Sequence, residues 1–166
     1  MAKQLKVQRV DQASVQLARL EEVQMAVTPL ISLVGGAVTI APGLPPAYDV
    51  CVSANADGAG FAHNLILNIH AATTNLLLDT KVVPYIRAPT TQAIVFRCAA
   101  VGLPLVGVPI PTIGAVEVKG LFFNPWGQQI EFVHSGRIDL NTQLLTFTAP
   151  PHYSWPWKSL TEAIPA

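Results

Sequence analysis

The sequence predicts a mostly β protein: an antiparallel β-sandwich, jelly-roll-like, of about eight strands, with a short N-terminal helix or arm. Three observations predict it. From Ala37 onward apolar residues recur at every second position in short runs rich in Val, Ile, Thr and Phe, as in strands with one buried face. Gly, Pro, Asn and Asp punctuate these runs, which is the spacing of a two-sheet sandwich or a barrel. No helical pattern of useful length lies between them, so a parallel βαβ sheet is disfavoured. At 166 residues the chain is one domain's worth, long enough to bury a core.

The first segment has a different period. Val10, Ala13, Leu17, Leu20, Gln24 and Val27 recur at alternating steps of three and four, like the seam of a helix. Asp11 or Ser14 suits its start and Pro29 its end. Two readings stand side by side: an amphipathic helix packed on its own domain, and an arm that meets other subunits, as in a short three-stranded coil. The organisation that follows is residues 1–36 as helix or arm, 37–150 as the sandwich domain and 151–166 as an aromatic tail.

The strands come next in order. Tyr48, Val50 and Val52 alternate with Asp49, Cys51 and Ser53. In 61–71 the pattern puts Phe61, Leu65, Leu67 and Ile69 on one face and Asn64, Asn68 and His70 on the other. Leu76–Ile86 contains Pro84, which points to an edge or a bend. Gln92–Ala99 sets Ile94, Phe96 and Cys98 opposite Arg97, and Ile113–Phe123 sets Val116, Val118 and Phe122 opposite Glu117 and Lys119. Gln128–His134 is expected to turn at Ser135-Gly136 into Arg137–Leu140, a hairpin. Gln143–Ala149 closes the series.

Composition excludes several classes. Half of the residues are apolar (51%) and only 12% are charged, about half the usual charged share, which leaves little ionised surface. Ten basic and ten acidic residues cancel, so no global field draws in nucleic acid or anionic lipid. Intrinsic disorder is excluded by the same apolar content. Charges at Lys3, Lys6, Arg9, Asp11 and Arg19 interrupt any signal-peptide core. The charge-free run from Val23 to Tyr48 is broken by Pro29, Gly35, Gly36, Pro42, Gly43, Pro45 and Pro46, so no membrane span is expected. Cys51 and Cys98 stand in separate apolar runs without a CxxC pair and read as reduced, with a disulfide between them as the other option.

Catalytic motifs are missing. His63 and His70, seven apart in one strand, are expected on opposite faces, which disfavours shared metal ligation. With His134 and His152 they read as half-buried strand residues. Asp49, Asp57, Asp79, Glu117, Glu131 and Asp139 are scattered singly, and no nucleophile elbow, phosphate loop or dinucleotide fingerprint is present. Asn55-Ala-Asp57-Gly58-Ala-Gly60 reads as a turn, lacking the acidic density of a calcium loop. No enzyme activity and no cofactor are expected.

Two features point to contacts instead. The uncharged Pro-rich stretch Gly102–Pro111, with Pro104, Pro109 and Pro111, is expected under its own domain or under a neighbouring subunit. The aromatic residues cluster as Phe122, Phe123 and Trp126, then Tyr153, Trp155 and Trp157. Such rings pack a core, anchor a subunit contact or stack on sugars. Leu17, Leu20, Val27, Pro104, Pro109, Trp126, Tyr153, Trp155 and Trp157 are therefore the interface candidates.

Low charge, a short helical arm, a Pro/Gly-broken β-rich body and an aromatic C-terminal tail together resemble the small structural proteins of bacterial viruses, of the single jelly-roll capsid or head-decoration type. The stretch from Ser135 through Gly136-Arg137-Ile138-Asp139 to Pro150 also looks like the paired strands of trimeric jelly-roll heads on tail fibres and C1q-type domains. The resemblance implies a non-enzymatic virion subunit, made in the host cytoplasm and incorporated in the virion. Its partners would be copies of itself and other virion proteins. Two alternatives are a trimeric fibre-tip module binding a receptor or carbohydrate through Trp126, Tyr153, Trp155 or Trp157, and a cellular filament or shell subunit.

Overall fold

The computed structural model describes residues 15–41, 47–99 and 113–157. The protein is mostly β, with one short N-terminal helix, α1 (residues 15–26), ahead of nine strands. These are β1 (Leu30–Ala41), β2 (Ala47–Asp57), β3 (Phe61–Ala71), β4 (Leu77–Arg87), β5 (Thr90–Ala99), β6 (Ile113–Phe123), β7 (Gln129–Asp139), β8 (Leu144–Phe147) and β9 (His152–Ser154). Every pairing is antiparallel, in the order β4-β3-β6-β7-β8-β1-β2-β5, with β9 added to β7.

The path bends into two facing layers, β1-β2-β5 and β4-β3-β6-β7-β8, which nearly close into a barrel. At one seam β1 and β8 share the single bridge Ala37–Leu144. There a Cβ on Gly35 would collide with the carbonyl of Leu145, so only glycine lets the backbones meet. At the other seam the Arg97 amide of β5 donates to Asp79 Oδ2 of β4 at 2.8 Å. Asp79 and Lys81 stand on this outermost strand, where charge discourages a further strand from adding on.

Between the layers lies one core. Alternation along β2 buries Tyr48, Val50, Val52, Ala54 and Ala56; β3 adds Leu65, Leu67 and Ile69, and β6 and β7 add Val118, Phe122, Ile130 and Phe132. Gly120 faces Phe132 across the β6–β7 pair, and a methyl group at that position would run into the ring. The antiparallel β expectation and the N-terminal helix hold, and Pro84 does lie on an outermost strand.

Three sequence expectations are corrected. β7 runs unbroken through Ser135-Gly136, pairing Gly136 with Val116 and with Phe147. Gly136 serves close approach to the Phe147 ring and the Thr146 carbonyl, not a turn. β1 begins at Leu30, because Gly35 and Gly36 form a bulge inside the strand: Gly35 to Val38 spans three steps against two in β2. In β3 a second bulge sets three steps from His63 to Ile66 against two from Phe123 to Leu121, and Asn64 takes a φ of 50°. That shift swaps the faces before it. His63 and His70 both avoid the core, and Phe61 joins the outer surface.

Cys51 and Cys98 lie on opposite faces of the β1-β2-β5 layer and are free. The disulfide option therefore falls away. Burial, reinforced by Asp79 and Asp49, pushes the Cys98 thiol up to about 12.

Candidate functional site

The bulge at Asn64 builds the most distinctive surface. With the phase shifted, His63 sits opposite Tyr85 and Phe61 opposite Arg87 on the outside of the β4-β3-β6 layer. The three rings cluster: Phe61 meets His63 edge-on at 4.8 Å, and Tyr85 lies 5.4 Å from Phe61 and 5.7 Å from His63. Arg87 is exposed beside them and has no carboxylate partner among the described residues.

Three turns wall this surface at one end of the barrel: Gly58–Gly60 between β2 and β3, Ala88-Pro89 between β4 and β5, and Pro125–Gly127 between β6 and β7. Together with Val27 they enclose an apolar cleft of about 830 Å³, in the range of ligand sites. Trp126 stands on its rim, 51% exposed.

The walls are fixed by hydrogen bonds. Asn124, itself buried, donates from Nδ2 to Thr28 Oγ1 (2.9 Å) and Gln128 Oε1 (2.9 Å). Its Oδ1 accepts from the amides of Trp126 (3.1 Å) and Gln128 (2.9 Å). The Ala88 amide donates to Gly60 O at 2.9 Å. Gly60 has a φ of 85°, and a side chain there would strike the Val27 carbonyl. Strand ends, helix end and turns are thus locked before any ligand arrives.

Helix α1 is mounted with an unusual polarity. An amphipathic helix ordinarily buries its apolar stripe. Here Glu21 is only 8% exposed and Thr28 is buried after the last turn. Gln24 Oε1 accepts from Gln128 Nε2 (3.0 Å) and from the Trp157 indole (3.2 Å). Val15, Leu17, Leu20, Val23 and Met25 are all between 43% and 52% exposed. Arg19, Gln16 and Glu22 interleave with them on the outer surface.

The interface candidates therefore divide. Leu17 and Leu20 are exposed on α1, Val27 is half-buried at the cleft and Trp126 is exposed on its rim. Trp157 is buried, and Tyr153 packs on Phe132 at 5.3 Å while its hydroxyl donates to the Ile31 carbonyl. Burial pushes the Tyr153 phenol well above its usual range. Trp155 stacks on Tyr153 at 4.4 Å and stays partly exposed. The tail is thus part of the barrel wall, and of the aromatic candidates only Trp126 meets the cleft. Pro104 and Pro109 lie outside the described residues.

Sequence reasoning missed Phe61, His63, Tyr85 and Arg87. The available signal was Asn64, whose short polar side chain tolerates positive φ. A second cavity of about 530 Å³ lies where β8 and β9 are interrupted, lined by Leu33, Leu145, Phe147 and Pro150. His134 lines it too, stacked on Phe147 at 4.1 Å, and burial lowers its pKa against a weaker opposing hydrogen bond to Ala149.

Among the described residues, no group of three His, Cys, Asp or Glu is placed to hold a metal ion. No described helix is long and apolar enough to cross a membrane. Fold and site define a nearly closed antiparallel β-barrel with an outward apolar helix and an aromatic end cleft. No family model matches the chain, nor does any curated protein or solved structure.

Proposed function

We propose that the protein is a non-enzymatic structural subunit that works by symmetric association with copies of itself, of the virion capsid or decoration kind its sequence resembles. One observation carries this reading. The polar side of α1 is bonded to the barrel through Gln24 and Thr28, which leaves Leu20 and Val23 facing outward. Apolar residues in that position gain free energy only when something covers them, at roughly 25 cal/mol per Å² removed from water. The neutral, weakly ionised composition favours the same outcome, since little repulsion opposes contact between like subunits. Mutual burial of uncharged surface is the mechanism, and homo-oligomers of this kind close by rotational symmetry.

Sedimentation velocity at micromolar concentration tests it. The wild type is expected as a stable oligomer, and Leu20→Glu with Val23→Glu is expected to release folded monomers with an unchanged circular dichroism spectrum. A monodisperse monomer for the wild type would refute the proposal. Negative-stain images of the oligomer then separate a shell from a fibre or a filament.

A further inference from the structure

We infer that the end cleft is a binding site for a saccharide bearing a carboxylate, with Trp126 and Tyr85 as stacking platforms and Arg87 as the anion partner. This goes beyond self-association and does not depend on it. Three observations converge. The cleft is preformed, because its three turns and the end of α1 are tied together by Asn124, Gly60 and Gln128. Its surface is aromatic and open, with Trp126 and Tyr85 each about half exposed. A sugar ring suits such a place: its C–H face covers an aromatic ring while its hydroxyls stay in water. Finally, Arg87 lines the cleft opposite Phe61 and lacks an acidic partner among the described residues. A guanidinium donates paired, charge-assisted hydrogen bonds to a carboxylate.

Other ligands fit less well. A peptide adding as a strand needs free backbone groups, whereas the Gly60 carbonyl and the Gly127 amide already bond to Ala88 and Asn124. Nucleic acid needs several cations, and among the described residues lining the cleft Arg87 is the only Lys or Arg. A wholly apolar small molecule would leave the guanidinium without a partner and much of its own surface in water.

The test is a glycan array probed with the full chain, in which each uronic- or sialic-acid oligosaccharide is printed beside its neutral counterpart, with oligo-glutamate as a peptide control. Acidic glycans are expected to bind at least about tenfold more tightly than their neutral partners, the ratio that one charge-assisted contact supplies. By calorimetry on the best acidic glycan, Trp126→Ala and Arg87→Gln are each expected to weaken binding about tenfold or more. Arg87→Gln should also abolish the preference for acid over neutral sugar. Trp155→Ala, on the tail and outside the cleft's lining, should change nothing. Both cleft substitutions are at exposed positions, and each variant's circular dichroism spectrum is taken as the check on folding. A flat array, equal binding of neutral sugars, an unaffected Arg87→Gln or oligo-glutamate binding in place of sugars would overturn the assignment. So would a smaller sedimentation coefficient for Trp126→Ala, since a second copy would then be the cleft's occupant.

Discussion

Replacing Asn124 by alanine should loosen the helix, the cleft and the tail at once. The side chain is 1% exposed and makes four hydrogen bonds, to Thr28 Oγ1, Gln128 Oε1 and the amides of Trp126 and Gln128. A hydrogen bond of this kind contributes about 0.5–1.5 kcal/mol net, and its loss leaves partners dry and unmatched. Four such losses, partly recovered by water reaching Gln128, come to about 3 kcal/mol. For a chain of this size that corresponds to a fall in Tm on the order of 10 °C. Asn124→Asp should do no better: it keeps the two acceptor bonds but sets a carboxylate against the carbonyl oxygen of Gln128 in a buried site. Urea unfolding followed by far-ultraviolet circular dichroism measures the loss, and acrylamide quenching reports how freely the Trp126 turn moves. Destabilisation below about 1 kcal/mol, with unchanged quenching, would refute the view that this one side chain joins α1 to the cleft.

Gly120→Ala should destabilise by about 2 kcal/mol, since the new methyl meets the Phe132 ring in a filled core; combining it with Phe132→Leu should return part of that loss in urea titrations. His134 has a lowered folded pKa, so the unfolded chain takes up the proton first. Its contribution is intact above the unfolded value of about 6.5 and declines as the pH falls through it toward the folded value, with a slope of at most about 1.4 kcal/mol per pH unit. His134→Gln should flatten that part of the stability curve, and an unchanged slope would count against the assignment. Native protein at pH 8 should expose at most one reactive thiol, Cys51, to a thiol reagent, while Cys98 reacts only on unfolding.

Alternation was a dependable guide wherever the pleat is unbroken. The buried rows of β2 and β6 follow directly from Tyr48-Val50-Val52 and Val116-Val118. It failed at Asn64, because one extra residue exchanges the two faces of everything on one side of it, and the bulge at Gly35 kept the start of β1 from reading as a strand. It also misjudged Gly136, since a glycine that makes room for a neighbouring strand reads in sequence like one that makes a turn.

The amino-acid order by itself determined the β class, the helical start and the scarcity of charge, because these rest on local period and composition. Only the tertiary structure decided which strands are neighbours, which side of α1 meets the barrel and that Phe61, His63, Tyr85, Arg87 and Trp126 share one end of it. Those are contacts between residues far apart in the chain, such as Gln24 with Gln128 and Trp157. Their free energy exists only once the sheet has closed, so no window of sequence contains it.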